Sequence, residues 1–373
     1  MLAKPAGKIE ELESIRGVAA LLVVFFHMPM WNVRVHDLRL FNNSFYMVDL
    51  FFVLSGFVIN LNYSDRLRTI SDIAKFQFLR FGRLYPVHLL FLLLGAAAAA
   101  AGWAATSLFG LQKPNGFSVN SFTVSAIMQQ ILLVHSLGFS VIAHPLNGPS
   151  WSISVEFYTY LLFGFLSLMV NHVARFAAFI LFSAASLALL FMGHGVVGAA
   201  SEILQCFAGF FMGCLVAAFA KRHGGTFPRG STLLALAAML AFLCLDNEAD
   251  FDIGIFVLSA ALVLAVVCSK DDRTKAILRH SWLRYLGLIS YSIYMSHLLV
   301  LWSCNQFVRV VLRRPEAILD GISTPQLSVA GACLWYAIAF AATIGLSALV
   351  FKYVEDPFRL KSKEFVRRRT AST

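Results

Sequence analysis

Charge is what this 373-residue chain has little of. Only 13% of its residues are Asp, Glu, Lys or Arg, about half the share of an ordinary soluble domain, which argues against a water-soluble enzyme of this length. Six cysteines (Cys206, Cys214, Cys244, Cys268, Cys304 and Cys333) show no CxxC spacing and fall in or beside apolar stretches. They read as small buried hydrophobes, and neither a metal site nor a thiol redox centre is expected. No linker, low-complexity tract or internal repeat is visible. Mirrored, Gly/Pro-interrupted segments of the inverted-repeat transporter kind are missing too. No small-residue cleavage site follows the first apolar run, so it is expected to be a retained helix rather than a signal peptide.

What the chain does have is apolar sequence, 59% of its residues, including 35 phenylalanines. Runs of membrane-spanning length recur from end to end, so the expected fold class is all-α, a polytopic integral-membrane helical bundle. Candidate spans are about 14–33, 46–62, 84–105, 151–170, 175–192, 203–220, 231–246, 252–268, 285–305 and 329–353. Basic residues concentrate in 66-RLRTISDIAKFQFLRFGR-83, 221-KRHGGTFPR-229, 270-KDDRTKAILRHSWLR-284 and 359-RLKSKEFVRRR-369, which the positive-inside rule places in the cytoplasm. Orientation thus accounts for most of the net charge of +10, and no nucleic acid partner is expected. An eleventh apolar segment, 123–139, would break parity between the first two basic loops. It is expected as an interfacial or re-entrant piece of a long external segment, about 106–150. The reading is about ten crossings with both termini cytoplasmic and Arg175 at a cytoplasmic turn. The acidic turn 246-DNEADFD-252 falls outside. The chain is expected to form one domain over 1–373 with no soluble module appended. The external placement of Arg309, Arg313 and Arg314 runs against the charge rule.

The stretch 14-SIRGVAALLVVFFH-27 is membrane-like yet opens on Arg16 and closes on His27. Eleven helical steps bring the two side chains to one face, roughly 16 Å apart. Ionisable residues inside a span are candidate functional groups, because placing them there is costly. The alternative is a snorkelling Arg16 and a His27 that makes one interhelical hydrogen bond. Arg80 and Arg83, in 80-RFGRLYP-86, carry planar donors suited to phosphate oxygens; they also fit a basic anchor against anionic lipid. Pro86 suits a first helical turn, which would leave Arg83 ahead of the regular helix. Asp49 falls near the outer end of the second span, above His27, able to orient an imidazole or to make a structural hydrogen bond. Ser55 and Gly56 read as a close helix-packing site. In 149-PSWSISVEFYTY-160, Ser152, Glu156 and Tyr160 share a helix face, and Glu156 needs a partner or a task there. Ser290, Tyr294 and His297 form a similar stripe.

Six segments taken together resemble the membrane acyltransferase family 3: 16-RGVAALLVVFFH-27, 49-DLFFVLSGFVI-59, 80-RFGRLYP-86, 149-PSWSISVEFY-158, 290-SYSIYMSH-297 and 354-VEDPFR-359. They occur in family order over nearly the whole chain. The resemblance implies a bacterial inner-membrane enzyme that moves an acyl group, usually acetyl from acetyl-CoA, onto a hydroxyl of a carbohydrate or glycoconjugate. By position it implies His27, Glu156 and Asp49 as catalytic residues, with His27 as base. Arg16, Arg80 and Arg83 would bind the CoA donor. Trp151, Ser152, Tyr294 and His297 would bind substrate, and no metal is implied. Two positions depart from the family pattern: Ser296 stands where tryptophan is frequent, and Phe157 where glutamate or glutamine is. Both bear on the shape of the acceptor pocket. A transporter or flippase for an anionic small molecule or lipid-linked sugar, and an enzyme-derived membrane scaffold, remain rival readings.

Overall fold

A computed structural model describes residues 9–109, 123–138, 146–192, 199–223, 226–245, 253–319 and 322–371. Helices dominate. The first part holds α1 (Glu10–Phe26), two short turns α2 (Val33–His36) and α3 (Arg39–Asn42), α4 (Met47–Tyr63) and the 40-residue α5 (Ile70–Phe109). Next come α6 (Val124–Ile131), α7 (Ser150–Met169), α8 (His172–Met192), α9 (Ala199–His223), α10 (Ser231–Cys244) and α11 (Gly254–Cys268). The last part comprises α12 (Arg273–Leu278), α13 (Ser281–Leu288), α14 (Ser290–Gln306), α15 (Val329–Val350) and α16 (Asp356–Ala371). A hairpin of β1 (Glu316–Leu319) and β2 (Ile322–Pro325), antiparallel with Glu316 opposite Pro325, separates α14 from α15.

Each expected span coincides with a helix, although the ends move. Among the described residues, six helical segments are long and apolar enough to cross a membrane alone; α13 and α14, bent by 69° at Ile289, make a seventh together. Helix α10 and helix α11 are shorter apolar helices. The first span, expected over 14–33, ends at Phe26 because Pro29 follows two residues beyond the His27 cap. The third begins at Ile70, not near 84. Thr69 and Asp72 cap it reciprocally, the Asp72 amide donating to Thr69 Oγ1 (3.1 Å) and the Thr69 amide to Asp72 Oδ2 (3.0 Å). Pro86 therefore lies inside a helix, and Arg80 and Arg83 project from its regular turns instead of preceding it.

Segment 123–138 holds only the eight-residue α6, too short to cross by itself, and then turns; side chains of α5 and α7 bond its backbone. His88 donates to the Gln130 carbonyl (2.9 Å), Ser154 to Leu133 (2.6 Å) and Tyr158 to Leu132 (2.9 Å). That is the condition under which irregular backbone is tolerated at membrane depth. The rest of the expected external segment, 110–122 and 139–145, and the acidic turn 246–252 lie outside the described residues.

The ends of the helices sort into two faces. Arg175 at the start of α8 donates to the Ser64 carbonyl just past α4 (2.8 Å), and Lys221 near the end of α9 meets Asp65 (3.3 Å). Arg279 and Arg284 pair with Glu11 and Glu10 at the start of α1, and Ser292 at the start of α14 donates to Glu355 beyond α15 (2.7 Å). At the other face the β1–β2 hairpin is fastened to the segment after α1. The Leu327 amide donates to the Trp31 carbonyl (2.8 Å), and Trp31 Nε1 to Asn305 Oδ1 (2.8 Å). Arg309 is held there by Glu316 (2.9 Å), so one of the three unexpected arginines is neutralised locally.

Helices α4 and α9 make the closest pairing. A Cβ at Gly56 would strike the Phe210 carbonyl, and one at Gly213 would meet the Val53 carbonyl and lie 2.8 Å from the Phe57 nitrogen. Small-residue contacts of this kind let apolar helices associate where no hydrophobic drive exists between them. Gly213→Val should cost about 1–3 kcal/mol through overpacking, visible as a lowered unfolding midpoint in detergent; an unchanged midpoint would refute the contact. Asp65 supplies a second expectation. Partial burial pushes its carboxyl up, but the charges of Lys221, Arg175 and His172 more than reverse this and hold it below the usual carboxylate range. Its contribution is full above the unfolded value near ~4 and is lost as pH falls through the lower folded value. Because Asp65 is more than half exposed, Asp65→Asn should cost only about 0.5 kcal/mol at neutral pH. The unfolding midpoints of parent and variant should converge in strong acid.

Candidate active site

Two cavities lie end to end inside the bundle. One, the arginine cavity, is lined by Arg16 of α1, Arg80 and Arg83 of α5, Ser55 of α4, Ser152, Glu156 and Tyr160 of α7, and Tyr294 of α14. The other, the histidine cavity, is lined by His27, Asp49, Trp151, Glu202, Gln205 and again Tyr294. Val48 and Tyr294 belong to both linings, so the wall between the cavities is about one side chain thick.

In the arginine cavity three guanidinium groups converge, and none has a carboxylate within ion-pair distance among the described residues. Arg16 and Arg83 are near enough to repel each other, with Glu156 as a partial counterweight to Arg16. Arg80 packs against the rings of Tyr63 and Phe76 and donates to the Tyr63 hydroxyl (3.3 Å), while its buried Nε has no partner. Glu156 accepts from Tyr160 (2.6 Å), whose hydroxyl also contacts Ser55 Oγ (2.8 Å). Glu355, 2% exposed and bonded to Ser292, sits behind the cavity near Arg83 and Arg16. Neither glutamate is within ion-pair distance of the three arginines. Guanidinium donors without a carboxylate partner are what an incoming phosphate needs.

The histidine cavity is built around a helix end. His27 caps α1, its Nδ1 3.0 Å from the Val23 carbonyl and 3.2 Å from Nε2 of His297. The Nδ1 of His297 lies 2.7 Å from the Tyr294 carbonyl. Carbonyl oxygens only accept, so His297 carries its proton on Nδ1 and offers Nε2 as acceptor. His27 then carries its proton on Nδ1, shared between Val23 and His297, which leaves Nε2 as a bare lone pair. A nitrogen in that state can take a proton from a hydroxyl. His297 is fully buried and does not line either cavity.

The structure thus groups the expected residues differently from the sequence reading. Arg16, Arg80 and Arg83, grouped as donor-binding by the resemblance, share one cavity. Glu156 and Ser152 line that cavity too, and neither lines the cavity of His27. Asp49 and Trp151 line the cavity of His27, and Tyr294 touches both. His297 contacts His27 and no cavity. Neither departure from the family pattern reaches a cavity lining: Ser296 is bonded to Ser347 of α15 (2.9 Å), and Phe157 packs against Phe81 of α5. Gly56 is the packing residue expected, but Ser55 beside it faces the arginine cavity. Glu202 and Gln205 were missed. A glutamate at the start of an apolar run reads as a boundary marker, and only the approach of α9 to α4 and α7 turns it inward.

No solved structure matches this chain. Among characterised proteins, it is similar to protein 2 of the picA locus of Rhizobium radiobacter, 40% identical over 26% of this chain and 49% of that protein. It is also similar to acyltransferase MdmB of Streptomyces mycarofaciens, 30% identical over 42% of this chain and 38% of that protein. The matched region spans about half or less of each of these relatives. One family model, described as an acyltransferase domain, matches residues 9–352, almost every helix of the bundle. With nearly its whole length inside that match, the chain belongs to the acyltransferase family it describes.

Proposed function

We propose that this protein is a bacterial inner-membrane O-acyltransferase that passes acetyl from cytoplasmic acetyl-CoA to a hydroxyl of an extracytoplasmic carbohydrate or glycoconjugate. Ten crossings with both termini cytoplasmic fit the two faces of the bundle, the crossings being α1, α4, α5, α7 to α11, the bent α13–α14 pair and α15. The observation that carries the reading is the convergence of Arg16, Arg80 and Arg83, unpaired with carboxylates, in a cavity that shares the wall of Val48 and Tyr294 with the cavity of His27.

The arginines hold the CoA phosphates, and the pantetheine arm runs along α1, whose spacing from Arg16 to His27 is roughly 16 Å. The thioester rests at the wall formed by Val48 and Tyr294. An acceptor hydroxyl enters the histidine cavity, and His27 Nε2 takes its proton as the oxygen attacks the thioester carbonyl. The carbon–sulfur bond breaks, the proton passes to the departing sulfur, and the products are an ester and CoA thiol. Positioning two substrates in a site walled off from water supplies much of the acceleration. Tyr160 and Ser55 orient Glu156, which limits the net positive charge around the donor.

Acetyl-CoA titration into the detergent-purified protein tests the donor half. Arg80→Ala should weaken binding by about tenfold or more, the value of one charge-assisted contact, whereas His27→Ala should stay within about threefold and lose acyl transfer. Absence of binding to the folded parent would sink the reading and bring forward a transporter or flippase. His297 supplies a second test. His297→Ala should lower turnover by about 10–100-fold, as loss of an orienting partner does elsewhere, and displace the pH–rate profile without weakening acetyl-CoA binding. His297→Gln, whose amide oxygen can accept the same bond, should recover part of the loss. An unaltered pH profile in His297→Ala would mean that the histidine only fills space.

A further inference from the structure

The two cavities are lined by ionisable side chains of opposite kind. The arginine cavity has three guanidinium groups against one carboxylate, while the histidine cavity has Asp49 and Glu202 and neither Lys nor Arg in its lining. Asp49 lines this space, is only 7% exposed, and has a buried Oδ1 with no hydrogen-bond partner. A buried carboxylate oxygen left unpaired is costly unless a donor reaches it from the cavity. Glu202 is anchored by Ser136, and Gln205, three residues on, shares its face of α9 and offers both a donor and an acceptor. Trp151, set edge-on by Phe52, and Tyr46 give flat apolar walls with polar tips. Carboxylates, a side-chain amide and aromatic faces together match a molecule with several hydroxyls on a partly apolar ring.

We infer that the histidine cavity is the acceptor site, that it takes neutral or amine-bearing sugars in preference to anionic ones, and that Glu202 with Asp49 sets this preference. The inference rests on the acyl-transfer reading for the word acceptor, but the charge preference stands on the cavity alone. An acidic sugar would bury its carboxylate among acidic side chains with no Lys or Arg in the lining to pair with it, and an unpaired buried carboxylate is costly. An amino sugar finds in Asp49 and Glu202 the acceptors its nitrogen needs. The same division keeps the two substrates apart: the phosphates of a CoA molecule meet guanidinium groups in one cavity and no cationic partner of that kind in the other.

The test is a ligand-observed NMR titration of methyl glucoside, methyl glucosaminide and methyl glucuronide against the full chain in lipid nanodiscs, with acetyl-CoA binding measured on the same sample. The glucoside and the glucosaminide should bind, and the glucuronide should bind at least about tenfold more weakly. Glu202→Gln should shrink that gap to about threefold or less, and Gln205→Glu should widen it, with acetyl-CoA affinity unchanged in both. Equal or tighter glucuronide binding, no binding of any of the three, or a gap insensitive to both substitutions overturns the inference. Sugars that fail while acetyl-CoA binds overturn it alone. Charge-selective sugar binding without acetyl-CoA binding would instead remove the acyl-transfer reading and leave the selectivity standing.

Discussion

A guanidinium group between apolar helices must be met by an anion or leave its hydration unreplaced. At the bundle edges the protein meets that demand itself, with Glu10, Glu11, Asp65 and Glu316 each opposite an arginine or lysine. In the arginine cavity it does not. Arg16, Arg80 and Arg83 are brought together from two helices and left without carboxylate partners, although the chain has a buried Glu355 close by and commits it to Ser292. The helices around them are fixed by contacts too close to adjust, above all the backbone-to-backbone approach of α4 and α9. On the proposed reading, the charge gathered there is answered by the phosphates of the donor.

Much of this was legible in the sequence, because the signals that survive in a membrane protein are those with steep energetic penalties. Apolar run length marked ten segments, and each coincides with a helix. The eleven-residue interval from Arg16 to His27 singled out two residues that each line a cavity, although the helix stops at Phe26. Charge parity set 123–139 apart from the spans, and its described part holds only the eight-residue α6.

What sequence reasoning could not supply came from packing. Pro86 was read as a helix start because a proline fits a first turn, yet the Thr69–Asp72 box and the buried Ile73 and Phe76 carry the helix through it. Glu156 was grouped with His27 only by the family resemblance, and the packing of α7 puts it in the lining of the arginine cavity instead. Glu202 carried no local signal at all. The pairing of His27 with His297 joins residues 270 positions apart, and nothing short of the fold could reveal which ring nitrogen is left bare.

The wall of Val48 and Tyr294 has an electrical side. A partition one side chain thick between two cavities is where a transmembrane voltage concentrates. For a transfer of the proposed kind, the acceptor loses a proton and gains an acyl group while the donor sulfur does the reverse. Both begin and end neutral at the reacting atoms, so a turnover moves no net charge through that field and a membrane potential neither drives nor opposes it. On the same reading the thin partition has to stay closed to ions between turnovers, a demand that falls on the bulk of Val48 and Tyr294.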